Sequence, residues 1–359
     1  MDNFKPTATC VANGNTVTVA NALDGDLGAG TMIKIQFPNV VNPGSDDTTD
    51  HFLVQTLTLE GALIDEDANN LTVTAEPGAL DAMGIVVDSV NGNDIVGAES
   101  AWEFSIDPNH ETPSDGKVKI YFPLWNFDLN PPDTRQIHFI PNGGTVCSGT
   151  VGTVNANIPC SYDQPTQMLT LTSVFTSSTQ STFKILVNPV KNPPSGKEMN
   201  GFIVRIMNDE EGTIELSDGT AGIQVSTPNS ITIDTAKLLP LTSTTGSDSI
   251  WECSFTSTNP FGSGYEVEIE FPDKLTIDEL EFVQGQTNIN NAISFTRTDQ
   301  VVRITGGYSE YVGDTDVEVT ITFVQFTNYG TTEPLGKFYV RTYTSEGLVV
   351  DSGESPPDK

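Results

Sequence analysis

The run Lys117–Phe122 alternates at every position. Val118, Ile120 and Phe122 fall on one face, and Lys117, Lys119 and Tyr121 on the other. Val267, Ile269 and Phe271 repeat the pattern against Glu266, Glu268 and Glu270. A period of two with one apolar face predicts a strand whose other face meets water. In both places a proline follows the last phenylalanine and stops the strand. Runs of this kind recur along the chain. The evidence for helix is slight: "TIDELEF" predicts at most a turn.

The strands belong to a repeat. "AWEFSIDPNHETPSDGKVKIYFP" and "IWECSFTSTNPFGSGYEVEIEFP" match, and Trp102 to Pro123 and Trp251 to Pro272 are both separations of 21. A second segment occurs three times. Ile35, Asn42 and Phe52 match Ile185, Asn192 and Phe202, and again Ile321, Asn328 and Phe338, with spacings of 7 and then 10 in each copy. Phe-x-Val strands follow, in "HFLVQT", "GFIVRI" and "KFYVRT", and each copy reaches Gly61, Gly212 or Gly347 and a last strand. With the lead-in strands "GIVVDSV" and "KLLPLTS", a full unit has seven or more strands. So many apolar faces need two packed sheets. The expected fold is all-β: tandem immunoglobulin-like antiparallel β-sandwich domains. A jelly roll or partly closed barrel is the alternative. The expected division is 1–78, the second half of a repeat, then repeats at 79–232 and 233–359.

Residues 1–66 lack a Trp strand and a Phe-Pro strand of the matching type. Three explanations stand. The chain is cut from a longer array, or strands from another molecule complete the half unit and so build a polymer, or the segment is a divergent small domain complete as it stands. The acidic loop "GSDDTTD" aligns with "PSGKEMN" and "GTTEPLG", so its charge is not part of the repeat.

Composition narrows the function. The 359 residues hold 16 basic and 48 acidic side chains, a net charge of −32. Nucleic-acid binding needs clustered Lys and Arg, and no cluster occurs. Attraction to anionic lipid is disfavoured for the same reason. No apolar run approaches the ~20 residues of a membrane span, so no direct membrane insertion is expected. The start "MDNFKPTATCVANG" lacks the basic and apolar regions of a signal peptide. Cys147 and Cys160 end a short polar loop without His or a CxxC pair, which disfavours zinc and fits a disulfide in an oxidising compartment. Cys10 matches Cys160 at a separation of 150, and the position matching Cys147 would lie before residue 1. Cys253 falls at a core position.

The pattern "FTSTNPFGSGYEVEIEFP", an Asn-led turn and "GKFYVRTYTSEGLVVDSG" resembles tandem repeats in long extracellular proteins of ciliates, algae and other protists. Residues 251–272 and 321–353 match best, 102–123 and 183–218 less closely, and 33–65 give half the pattern. The resemblance implies extracellular or surface architecture and carries over no catalytic residue. A Cys pair is frequent in ciliate copies, which suits Cys147 and Cys160; the third unit departs from it.

A search for chemistry finds little. His51, His110 and His138 have no matching nucleophile motif, and no Walker, HExxH, GxSxG or dinucleotide fingerprint occurs. No enzymatic activity is expected. Calcium is the more credible chemistry, because the ion takes six to eight oxygens. Asp65 and Asp67 at the end of the first unit, and Asp94 before the second, are the candidate ligands; solvated acidic turns are the alternative. Asn70 opens the single glycosylation sequon, "NLT". Phe122, Trp125 and Phe127 could form a platform for a sugar ring, though core packing is the plainer role. The expected function is therefore a structural spacer, filament or coat component whose partners are copies of itself or neighbouring repeats. A calcium-dependent adhesin or glycan-binding module is the rival.

Overall fold

The computed structural model describes residues 7–23, 25–87, 94–125, 139–140, 144–234, 239–240, 244–278, 280–290, 293–308, 316–330 and 333–356. Two compact units are resolved, Met1–Gly44 and Ser45–Lys359. The first holds a hairpin of β1 (Thr9–Asn13) and β2 (Thr16–Ala20), turned at Gly14 with a φ of 56°. The second unit begins with another hairpin, β3 (Phe52–Leu57) and β4 (Leu63–Leu71).

Two sandwiches follow within the second unit. One contains β5 (Gly78–Ala79), β6 (Ala82–Val87), β7 (Glu99–Asp107), β8 (Lys117–Tyr121), β9 (Val146–Val151), β10 (Cys160–Asp163), β11 (Met168–Leu171), β12 (Phe183–Lys191), β13 (Met199–Asn200), β14 (Ile203–Met207), β15 (Thr213–Leu216) and β16 (Gly222–Ile223). The other contains β17 (Asn229–Ile233), β18 (Leu239–Pro240), β19 (Asp248–Ser257), β20 (Glu266–Glu270), β21 (Phe282–Thr287), β22 (Ser294–Thr298), β23 (Val301–Thr305), β24 (Val317–Thr327), β25 (Tyr339–Tyr343) and β26 (Val349–Glu354). All described regular structure is strand and turn, in agreement with the all-β reading.

The two sandwiches share one plan. Sheets β6-β7-β12-β9 and β10-β11-β8-β14-β15-β5 correspond to β17-β19-β24-β21 and β22-β23-β20-β25-β26-β17. The lead-in segment crosses between sheets in each: β5 and β6 do so around a break, and β17 bonds to both β19 and β26. The third unit therefore enters through "NSITI" as well as through part of "KLLPLTS". One difference from the expected antiparallel sandwich is that the closing pairs, β5 with β15 and β17 with β26, are parallel.

The period-two faces are the cores. Val118, Ile120, Val267 and Ile269 are fully buried, as are Phe202, Val204 and Val340. Each such side chain contributes roughly 1.5–3 kcal/mol through burial. Trp102, Phe122 and Phe202 stand 5.8–6.1 Å apart, centroid to centroid; Trp251 and Phe338 are 6.1 Å apart, and Phe271 and Phe338 5.7 Å. The repeat's asparagine completes this cluster. Trp102 Nε1 donates to Asn192 Oδ1 at 2.9 Å, and Asn192 Nδ2 donates to the Ile95 carbonyl at 2.7 Å. Trp251 Nε1 donates to Asn328 Oδ1 at 3.1 Å, and Asn328 Nδ2 to the Thr244 carbonyl at 2.9 Å. A buried amide with both ends engaged thus ties the Trp strand to the loop before it.

Candidate functional site

The contacts between successive units are the most built feature outside the cores. Ser45, Asp46 and Asp47 dock on the turn between β14 and β15. Asp46 N donates to the Thr213 carbonyl at 2.9 Å, and Thr213 N returns a bond to Asp46 Oδ1 at 2.5 Å. Asn208 Nδ2 donates to Asp47 Oδ2 at 2.6 Å. Hydrogen bonds from Ser45 and then Asn208 hold the Asp47 carboxyl below its usual range. Gly212 lies so close to Asp47 that a Cβ there would overlap the carboxylate.

The next junction uses matching positions with different chemistry. Gly196 lies against Leu348, where Asp46 met Thr213. Lys197 Nζ reaches Glu346 Oε1 at 3.4 Å, where Asp47 met the preceding turn. In the same two places the loop also pairs with the linker behind it: Thr49 N donates to the Val73 carbonyl at 2.9 Å, and Met199 pairs with Ile223. What recurs is backbone position, which is why the acidic charge of the first loop need not.

The junction before β17 is locked further. Val96 and Val225 are fully buried in the core of the last sandwich. Asn229 Nδ2 donates to the Val96 carbonyl at 2.9 Å. Asp94 accepts from Ser226 N at 3.1 Å, from Ser226 Oγ at 2.7 Å and from Thr227 Oγ1. The bond from Thr227, then that from Ser226, lowers the Asp94 pKa.

The residues singled out for calcium do not converge. Asp94 spends its oxygens on Ser226 and Thr227. Asp65 sits exposed on β4 and accepts from Thr56 Oγ1 at 3.3 Å, and Asp67 is exposed on the same strand. Among the described residues no group of three or more His, Cys, Asp or Glu is arranged to hold a metal. Other acidic turns are partnered: Glu211 with Lys119 and Lys117, and Asp218 with Thr220. On the outer face of β20, Glu266 pairs with Arg303 at 2.5 Å, and Glu268 and Glu270 with Arg341 at 3.0 and 3.2 Å.

Cys147 and Cys160 are bonded, joining β9 and β10, the edge strands of opposite sheets. Cys10 is free and exposed; Cys253 is buried, and burial pushes its thiol up to about 12. Asn70 lies in β4, and its side chain is outside the described residues. Phe122 and Trp125 are core residues rather than a platform; Phe127 and His138 lie outside the described residues. His51 is exposed. His110 covers the fully buried Glu215: its N–H and Nδ1 both lie 2.6 Å from Glu215 Oε1, beside the β5–β15 pair.

No protein-family model matches the chain. No curated protein matches it either. Solved structures align with it at low identity. The type II cohesin dyad from the adaptor ScaA scaffoldin of Acetivibrio cellulolyticus is 11% identical, covering 77% of this chain and 96% of that one with a TM-score of 0.23. The C-terminal domain of the Streptococcus pyogenes antigen I/II-family protein AspA is 6% identical, over 86% and 100%, at 0.26. The N-terminal domain of the Streptococcus gordonii adhesin Sgo0707 is 14% identical, over 72% and 59%, at 0.25. All three are bacterial and lend no support to the protist resemblance. The fold class rests on the sheets themselves.

Proposed function

We propose that this chain is a non-catalytic, load-bearing spacer built of tandem β-sandwiches, part of an extracellular filament, coat or cell surface. The observation that carries this reading is the parallel closure of each sandwich. Gly78 and Ala79 register with Glu215 and Leu216, and Asn229 and Ser230 with Asp351 and Ser352. β17 and β26 are the first and last strands of their sandwich, and β5 opens the other, in which only the two-residue β16 follows β15, so tension along the chain reaches these pairs. In a parallel pair, that tension pulls the two strands in opposite directions along their length. The bonds between them are then loaded together in shear, not opened one at a time. Asp351 reinforces one pair from the side by accepting from Asn259 N at 3.0 Å and Asn259 Nδ2 at 2.6 Å.

The disulfide supports an oxidising, extracellular setting. The expected cuts after 78 and 232 fall inside β5 and β17, so the same proposal moves them to keep each strand whole, with one sandwich opening at Gly78 and the other at Asn229, and with neighbouring repeats as the partners. Single-molecule pulling tests it. Tension applied through the chain ends should require several-fold more force than tension applied across β25 and β26, which unzips an antiparallel pair. Equal forces would sink the load-bearing reading. A calcium-dependent, glycan-binding adhesin using the Trp125 region or acidic loop tips is the rival; Phe122 and Trp125, two of the three aromatics of its platform, are buried. Glycan-array binding abolished by a chelator would favour it.

A further inference from the structure

The β3–β4 hairpin leaves open a face that its counterparts keep closed. Phe52 and Val54 are 47% and 54% exposed, whereas the matching Phe202, Val204, Phe338 and Val340 are 1% exposed or less. Leu57, Leu63 and Ile64 are also exposed. Among the described residues β3 pairs with β4 alone. In both sandwiches the corresponding strand has a second neighbour, the Phe-Pro strand. Val204 faces Ile120 and Ile206 faces Val118; Val340 faces Ile269 and Thr342 faces Val267.

We propose that the open edge of β3 is a docking site for an extended partner strand of the Phe-Pro type. The strand runs antiparallel to β3, sets an isoleucine-like residue opposite Val54 and a valine-like one opposite Thr56, and ends in Phe-Pro. Main-chain bonds along the edge supply affinity, and the alternate side chains supply register. The Phe-Pro strands of the two sandwiches are already committed: β8 is bonded on both edges, by β11 and β14, and β20 by β23 and β25. The occupant is therefore a strand not yet built into a sandwich. This inference rests on the tandem-repeat reading and adds the partner's pattern and register.

The test is titration of the isotope-labelled full chain with two synthetic peptides, residues 115–124 ("DGKVKIYFPL") and 264–273 ("GYEVEIEFPD"). One is basic and one acidic, so attraction to the −32 chain is separated from strand pairing. Both are expected to shift β3 resonances, versions with serine at the Val and Ile positions are not, and Val54→Asp should weaken binding at least tenfold. In a Cys10→Ser background, Val54→Cys should form a disulfide with the acidic peptide carrying Ile269→Cys but not Glu268→Cys. Absence of any shift at about 1 mM peptide, the limit of weak binding, overturns the proposal. So does a concentration-dependent dimer that Val54→Asp abolishes, which would mean that β3 edges pair copy to copy. Either failure leaves the shear-loading result untouched, and loss of shear resistance would leave peptide binding untouched.

Discussion

Replacing Asn192 with alanine removes one side chain and strands several buried groups. Asn192 Oδ1 accepts from Trp102 Nε1 at 2.9 Å and from Ser100 Oγ at 2.6 Å, while its Nδ2 donates to the Ile95 carbonyl. After truncation Trp102 Nε1 keeps only Ser100 Oγ, at 3.1 Å. The Ser100 hydroxyl and the Ile95 carbonyl lose the amide. Asn192 and Trp102 are fully buried, so water does not readily replace it. At about 1–3 kcal/mol for each unsatisfied buried group, the loss is about 3 kcal/mol. For a sandwich of this size that lowers the midpoint of its transition by roughly 6–12 °C. Calorimetry that resolves the transition of the second repeat is the assay. Trp102→Phe keeps the ring and deletes the donor, so a double-mutant cycle with Asn192→Ala should return a coupling of about 1 kcal/mol or more. Asn42 occupies the matching place in the first repeat but is exposed, and Asn42→Ala should stay within about 0.5 kcal/mol of the parent. An Asn192→Ala cost as small as that of Asn42→Ala, or additive single mutants, would refute the clamp.

Other expected outcomes follow from the same geometry. Phe202→Ala should cost about 3–5 kcal/mol as a core truncation, while Phe52→Ala should leave the melting curve nearly unchanged; equal costs would show that the first hairpin is covered. Removing the bridge with Cys147→Ser and Cys160→Ser should destabilise the second repeat by about 3 kcal/mol for a loop of this length, and leave the third repeat's transition in place. Asp94 has a folded pKa below its unfolded value, so its stabilising effect is present above about pH 4 and is lost as pH falls through the lower folded value. The melting difference between the parent and Asp94→Asn should accordingly shrink from pH 7 to pH 3; a constant difference would mean that the carboxylate's charge is irrelevant to the junction.

The strands were readable in the sequence wherever burial imposes alternation. Val118, Ile120 and Phe122 announce their face because a pleated strand with one dry side requires it. The members of the aromatic cluster recur in the sequence, with Trp and the first Phe 20 residues apart in both complete repeats, but the second Phe falls 100 residues after the Trp in one and 87 in the other, so their meeting did not show there. The bond between Trp102 and Asn192 was not legible either, although both residues recur in each complete repeat: the separations are 90 and 77, set by a loop of variable length. The parallel closure left no trace because each parallel pair spans only two residues of its lead-in strand, too short for a period. The junctions were hidden for another reason. Asp46 and Gly196, or Thr213 and Leu348, share a place in the backbone and no side-chain chemistry. Asp94 drew notice as an acid near a unit end, a pattern that suits an ion as well as it suits the Ser226 and Thr227 hydroxyls. Only their placement separates the two.

The central claim, that two sandwiches carry load as separate units, is tested most directly by the lengths released when the full chain is stretched. At roughly 3.5 Å per extended residue, the account predicts two force peaks. One releases about 44 nm, for residues 229–355. The other releases about 46 nm with the disulfide intact and about 4–5 nm more under reducing conditions, as the loop from Cys147 to Cys160 joins the extensible chain. Residues before β5 should extend without a peak of comparable force. A single peak releasing the whole chain, or smooth extension at low force, would contradict the account.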